Sequence, residues 1–154
     1  MRRNSPHQKN LRFIFLIIGI IIYLPLSDMS YYMPPLFGVL YVLSQDAYEK
    51  ANYNAFYILV PILLIFETTK NLPLGSTLLF LAFSFALLLP KVRKFLGFSK
   101  ILVPFFILYS YFGYFLFLKL FGIILDEEFL KFNWIFAWYV LCEIFLIWIF
   151  LWIL

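Results

Sequence analysis

The chain has 154 residues, 65% of them hydrophobic and only 13% charged, with a mean hydropathy of +0.96. A soluble domain of this length is typically about 45–50% apolar and about 25% charged, so composition argues against a water-soluble fold and predicts an integral membrane protein. The net charge of +4 reads as membrane topology and not as a nucleic-acid footprint, because the basic residues gather where anionic inner-leaflet lipids would hold them.

The N-terminal stretch MRRNSPHQKNLRFIFLIIGIIIYLPLS has the basic start and apolar run of a signal peptide. No Ala-x-Ala-like cleavage site follows it before Asp28, Met29, Ser30, Tyr31 and Tyr32. An uncleaved first span over about 11–27 is expected, preceded by a cytoplasmic tail over 1–10. His7, the single histidine, sits in that tail beside Lys9 and reads as solvated.

The second and third apolar segments, about 31–46 and 54–67, are short. At 1.5 Å rise per residue each reaches only about 22 Å, against a hydrocarbon core about 30 Å thick. Pro34 and Pro35 stiffen the start of the second. Between the two lie Asp46, Glu49, Lys50, Asn52 and Asn54, a polar turn that favours contact with water. Two short spans are therefore expected, with a re-entrant hairpin as the alternative.

A fourth segment runs over about 74–90, a fifth over about 100–125 and a sixth over about 133–154. Arg2, Arg3, Lys9 and Arg12 precede the first span, and Lys91, Arg93, Lys94 and Lys100 lie between the fourth and fifth. Loops of the opposite parity carry Asp28, Glu67 with Lys70, and Asp126, Glu127 and Glu128 with Lys131. The positive-inside rule places both termini in the cytoplasm. The whole chain, 1–154, reads as one membrane domain.

Two charges fall inside apolar runs. Lys119 lies about 9 Å below the outer end of the fifth segment, and Glu143 about 15 Å below the same side in the sixth. Isolated charges at such depths cost several kcal/mol, on the order of the insertion scales, so partners are expected. An ion pair between Lys119 and Glu143 is predicted, with Lys119 snorkelling to the interface as the simpler alternative. Small residues that allow close helix approach are Ala82, Ser84 and Ala86 on the fourth segment and Gly113 and Gly122 on the fifth.

Catalytic machinery is not legible. The sequence has no His-Glu-x-x-His motif, no Gly-x-Ser-x-Gly elbow and no phosphate-cradling glycine loop. Cys142 is the single cysteine, which rules out an intramolecular disulfide or a cysteine-metal cluster. The expectation is a protein that is not an enzyme and holds neither cofactor nor metal.

One stretch carries more pattern. In ILVPILLIFETTKNLPLGSTLLF an apolar run ends at Glu67, and Leu74-Gly75 open the next run eight residues later. Glu67 can accept hydrogen bonds from the N–H groups that open the fourth helix, whose positive dipole end favours an anion. Gly75 permits a tight turn or close packing there. With the Pro-led second segment YYMPPLFGVLYVLSQ and the basic residues Lys91, Arg93 and Lys94, this order of features resembles the rod shape-determining protein MreD family. The likeness covers about 33–94. It departs from the family in having Glu where Asp is usual, and in lacking the glycine that normally precedes that acid.

The resemblance implies an all-α, six-helix bundle similar to the substrate-binding S-components of vitamin transporters. It implies a non-enzymatic component of the bacterial elongation complex, in the inner membrane, supporting rod shape and lateral peptidoglycan synthesis. Implied partners are membrane lipid, an MreC-like bitopic protein, an MreB-type actin-like filament system and the peptidoglycan synthases. Pro34, Pro35, Glu67, Leu74 and Gly75 are the residues that match the family pattern. The rival reading is the substrate-binding subunit of a small-molecule transporter, for which Pro-marked short segments would build the site.

Overall fold

The computed structural model describes residues 6–96, 102–125 and 134–153. Among them the fold is all-helical: α1 (Pro6–Met29), α2 (Phe37–Glu49), α3 (Tyr53–Thr69), α4 (Ser76–Phe83), α5 (Leu89–Leu96), α6 (Val103–Leu125) and α7 (Ile135–Ile153). A π-helical turn, Ser84–Leu88, joins α4 to α5, so that 76–96 is one continuous helix and the bundle has six rods. Of the tail and basic loop expected at 1–10 and 91–100, Pro6 already opens α1 and 91–96 belong to α5, whereas 1–5 and 97–100 lie outside the described residues.

Local chemistry sets the boundaries. After α1 the chain turns at 30–33, Pro34 and Pro35 hold it extended, and Leu36 takes a left-handed conformation (φ 57°) before α2 begins at Phe37. The second helix thus starts six residues later than the apolar run suggests, because two prolines in succession disfavour helix in the residue before each. Helices α2 and α3 end alike. Ala51 (φ 50°) and Asn71 (φ 51°) are left-handed. The following N–H groups of Asn52 and Leu72 reach back to the carbonyls of Ala47 and Glu67 at 2.9 Å, the pattern that satisfies orphan carbonyls at a helix end. Asn52 then caps α3 through Oδ1, which accepts from the Ala55 N–H at 3.3 Å.

The 13-residue α2 is the centre of the bundle, packed on α3, α6 and α7. An ion pair between Lys70 and Asp28, at 2.9 Å, fastens the C-terminal ends of α3 and α1 at the same end of the molecule, so α1 and α3 run parallel and α2 antiparallel to both. The core is aromatic. The ring of Phe37 lies 4.6 Å from Tyr114, 5.3 Å from Phe66, 6.0 Å from Tyr111 and 6.3 Å from Phe80, centroid to centroid. Offset and edge contacts of this kind add roughly 0.5–1.5 kcal/mol each beyond area burial.

Of the described helices, α6 has a segment long and apolar enough to cross a membrane, Val103–Ile124. Shorter apolar stretches occur in α1 (Ile17–Met29), α3 (Tyr53–Thr69), the α4–α5 rod (Ser76–Val92) and α7 (Ile135–Trp148).

Candidate functional site: two buried carboxylates at sunken helix starts

Helices α2 and α4 both begin inside the bundle. A helix start leaves backbone N–H groups without partners, and burial removes the water that would otherwise serve them. Neither residue at the cap position, Leu36 or Gly75, makes a side-chain capping bond. A glutamate from another helix performs the task in each case.

At α4 the acceptor is Glu67, fully buried on the last turns of α3. Its Oε2 accepts from the Gly75 N–H at 2.6 Å; its Oε1 accepts from the Thr77 N–H and the Thr77 hydroxyl, both at 2.6 Å. The Ser76 hydroxyl lies 3.4 Å from Oε1 and 2.7 Å from the Tyr114 hydroxyl on α6. The capping bonds expected of Glu67 are thus present, with Ser76, Thr77 and Tyr114 added. Gly75 sits at φ 85°, and a Cβ there would meet nothing within 4 Å. Of the two roles open to this glycine, the left-handed turn is the one used. Pro73 lies two residues before the cap and its carbonyl accepts from the Ser76 N–H at 3.1 Å, while Leu74 is exposed.

At α2 the acceptor is Glu143, equally buried on α7. Its Oε2 accepts from the Val39 N–H at 3.1 Å and its Oε1 accepts from the Tyr111 hydroxyl. A Cβ on Gly38 would lie 2.6 Å from Glu143 Oε2 and 2.7 Å from Ile107 Cγ2. Close approach, not backbone twist, requires that glycine. The segment 30–36 is held against α7 by two more bonds: the Tyr139 hydroxyl donates to the Tyr31 carbonyl at 2.6 Å and Trp138 Nε1 to the Tyr32 carbonyl at 3.2 Å. Pro34 is buried in this stretch and Pro35 partly so.

The expected pair between Lys119 and Glu143 is not formed. Lys119 is exposed on α6, its ammonium 5.7 Å from the ring centroid of Phe115. Glu143 is buried against the start of α2 and not against α6 alone. In the fold that start is sunk to the level of Glu143, eight residues and roughly 12 Å into α7, and supplies N–H groups and a positive dipole end in place of a lysine.

Tyr111 and Tyr114, three residues apart on α6, tie the two sites together, and the Phe37 ring packs against both, edge-on to Tyr111 and tilted to Tyr114. Neither tyrosine stood out in the sequence, nor did Gly38. The available signal was the likeness of MPPLFG to NLPLGS, two Pro-led helix starts with an early glycine. Of the small residues expected at helix contacts, Ser84 is buried and bonds Tyr41 at 2.5 Å, and a Cβ on Gly113 would lie 3.2 Å from the Phe80 ring. Gly122 is buried, whereas Ala82 and Ala86 are exposed. Beside Tyr111, a cavity of about 10 Å³ lined by Phe112, Phe115 and Phe136 has room for no ligand larger than a water.

No family model, curated protein or solved structure matches the chain.

Proposed function

We propose that the chain is a multi-pass membrane protein of the bacterial inner membrane, with both termini cytoplasmic, acting as a non-enzymatic part of a cell-elongation complex in the manner of the MreD family. The membrane half of this reading is supported by inverted polarity. Ile22, Leu116 and Phe145 are 59%, 64% and 65% exposed, while Glu67, Glu143, Ser44 and Thr77 are fully buried. Water would favour the reverse distribution; hydrocarbon favours this one, since polar groups there must be satisfied within the protein.

The observation that carries the elongation-complex half is the 2.6 Å bond from the Gly75 N–H to Glu67. The acid and the Leu-Gly that match the family pattern by spacing belong to one structural unit, which argues that the spacing is meaningful. Helix starts opening inside a bundle are also how transporters bind anionic substrates. Here both starts are occupied by the chain's own carboxylates, which favours a structural bundle presented to partners over a substrate receptor. The partners proposed are a bitopic MreC-like protein, an MreB-type filament system and peptidoglycan synthases.

The test is deletion of the gene in its bacterial host, read as cell width and the pattern of new wall synthesis, together with mass spectrometry of proteins that co-purify from gently solubilised membranes. Loss of rod shape with recovery of wall-synthesis proteins is expected. Normal rods, or co-purification of an ATPase-coupling module instead, would overturn the assignment.

A further inference from the structure

Lys119 is exposed on α6, in a seam with Phe112, Leu116 and Ile123, which are 47%, 64% and 77% exposed. The four-three-four spacing of these residues is the one by which a helix packs along a second helix. Lys119 is the one charge among them. With 23 residues, α6 is roughly 35 Å long against a hydrocarbon core about 30 Å thick. Six residues, about 9 Å, separate Lys119 from the end of α6, which sets it inside the core on the membrane reading.

A lysine at that depth can extend to the nearer interface. This one leans the other way. Its ammonium lies over the ring of Phe115, 5.7 Å from the centroid, one turn closer to the middle of α6, as helical side chains lean towards the start of their helix. The ring offsets part of the cost of taking an ammonium out of water but does not neutralise it. Lipid phosphates sit at the headgroup level, on the side from which the ammonium turns away. Among the described residues each carboxylate already has a partner. Glu67 and Glu143 hold helix starts, Asp28 and Asp46 pair with Lys70 and Lys50, and Glu49 accepts from Gln45.

Resting on the membrane half of the reading above, we propose that this face of α6 docks a transmembrane helix of another protein, one that carries a carboxylate level with Lys119. Charge complementarity sets the chemistry, since charges inside a membrane pair with one another and the bilayer core offers no water in place of a partner. A single polar residue in an apolar seam also fixes register, so the carboxylate meets Lys119 only when Leu116 and Ile123 pack on apolar residues of the partner helix.

The experiment measures energy transfer in phosphatidylcholine vesicles between the labelled full chain and synthetic Leu-Ala transmembrane peptides. Each peptide carries Glu, Leu or Lys at one position about 9 Å from its end. The Glu peptide is expected to associate about tenfold more tightly than the Leu peptide, the scale of one polar contact between helices in a bilayer, and the Lys peptide no better than Leu. Lys119→Met should abolish the preference without lowering the unfolding temperature, and Lys119→Glu should transfer it to the Lys peptide. Adding phosphatidylglycerol should leave it in place. Equal association of the Glu and Leu peptides with the parent, or an unchanged preference in Lys119→Met, would overturn the docking face. Loss of the preference on adding phosphatidylglycerol would do so by making a lipid phosphate the anion. Energy transfer between copies of this chain that Lys119→Met removes would do so by making a second copy the occupant. A chain released from membranes by alkaline carbonate would overturn the membrane reading and the face together; a chain that stays embedded but shows no preference would overturn the face alone.

Discussion

Glu143 Oε2 accepts a hydrogen bond at 3.1 Å from the backbone N–H of Val39, 104 positions earlier in the chain. The acid in the last helix therefore anchors the start of the second, and its value lies in N–H groups that would otherwise be buried without partners. Glu143→Ala should lower stability by roughly 1–3 kcal/mol for each donor left unsatisfied. Lys119→Met should be nearly neutral, and exchanging the two charges should rescue nothing. Thermal unfolding of the variants in one detergent is the readout; a partial rescue by the charge exchange would restore the pair that the fold does not form.

Gly38 offers a sharper probe of the same site, because its space is set by the fold and not by backbone conformation. A Cβ there would press on Glu143 Oε2 and Ile107 at 2.6 and 2.7 Å. Gly38→Ala should cost on the order of 1–3 kcal/mol, the usual range for overpacking. Gly113→Ala should cost less, since it meets ring atoms of Phe80 and Tyr109 at 3.2 Å, a milder overlap that a few tenths of an ångström of ring movement relieves. Equal effects in the same unfolding assay would show that Glu143 and Ile107 yield more readily than their surroundings suggest.

Much of this arrangement could be read before the fold was seen, and the remainder could not, for a physical reason. Composition gives helices, and the spacing from Glu67 to Gly75 gives the cap on α4, because cap and helix start are neighbours in sequence. Glu143 stands out as an acid in an apolar run. Its partner was hidden, since that partner is backbone, and backbone N–H groups carry no residue signature. The site also depends on how deeply 30–36 dips, which is decided by contacts to Trp138 and Tyr139 more than 100 residues away. Tyr111 and Tyr114 were masked by abundance: 11 tyrosines in 154 residues give no reason to single out two.

The proposed topology has its own test. Alkaline phosphatase fused after Lys131 should be active and fused after Lys94 inactive; the reverse would turn the protein over. For the α2–α3 turn, a cysteine is best placed at exposed Asn54, in a background where Cys142 is replaced, because Asn52 is the cap of α3. Asn54→Cys should react with an impermeant thiol reagent only from the cytoplasmic side. Reaction from outside would establish a re-entrant hairpin.

The turn from Glu67 to Thr77 allows the cap and the backbone to be separated. Glu67→Ala removes the acceptor for the Gly75 and Thr77 N–H groups and the Thr77 hydroxyl. An exposed cap is worth about 0.5–2 kcal/mol; here the two Thr77 donors are buried, and each buried donor left unpaired costs about 1–3 kcal/mol, so a loss of roughly 2–6 kcal/mol is expected. Glu67→Asp draws the carboxylate back by one methylene and should recover only part of it. Gly75 behaves differently, because its φ of 85° penalises any side chain while the space around it is open. Gly75→Ala and Gly75→Leu should therefore cost about the same, roughly 1–2 kcal/mol for a residue forced into the left-handed region, and Gly75→Asn should cost less. Unfolding in detergent ranks the five variants. If Gly75→Leu is far worse than Gly75→Ala, a neighbouring helix or a partner protein fills the open space beside the turn, and comparing purified protein with protein in its native membrane tells which.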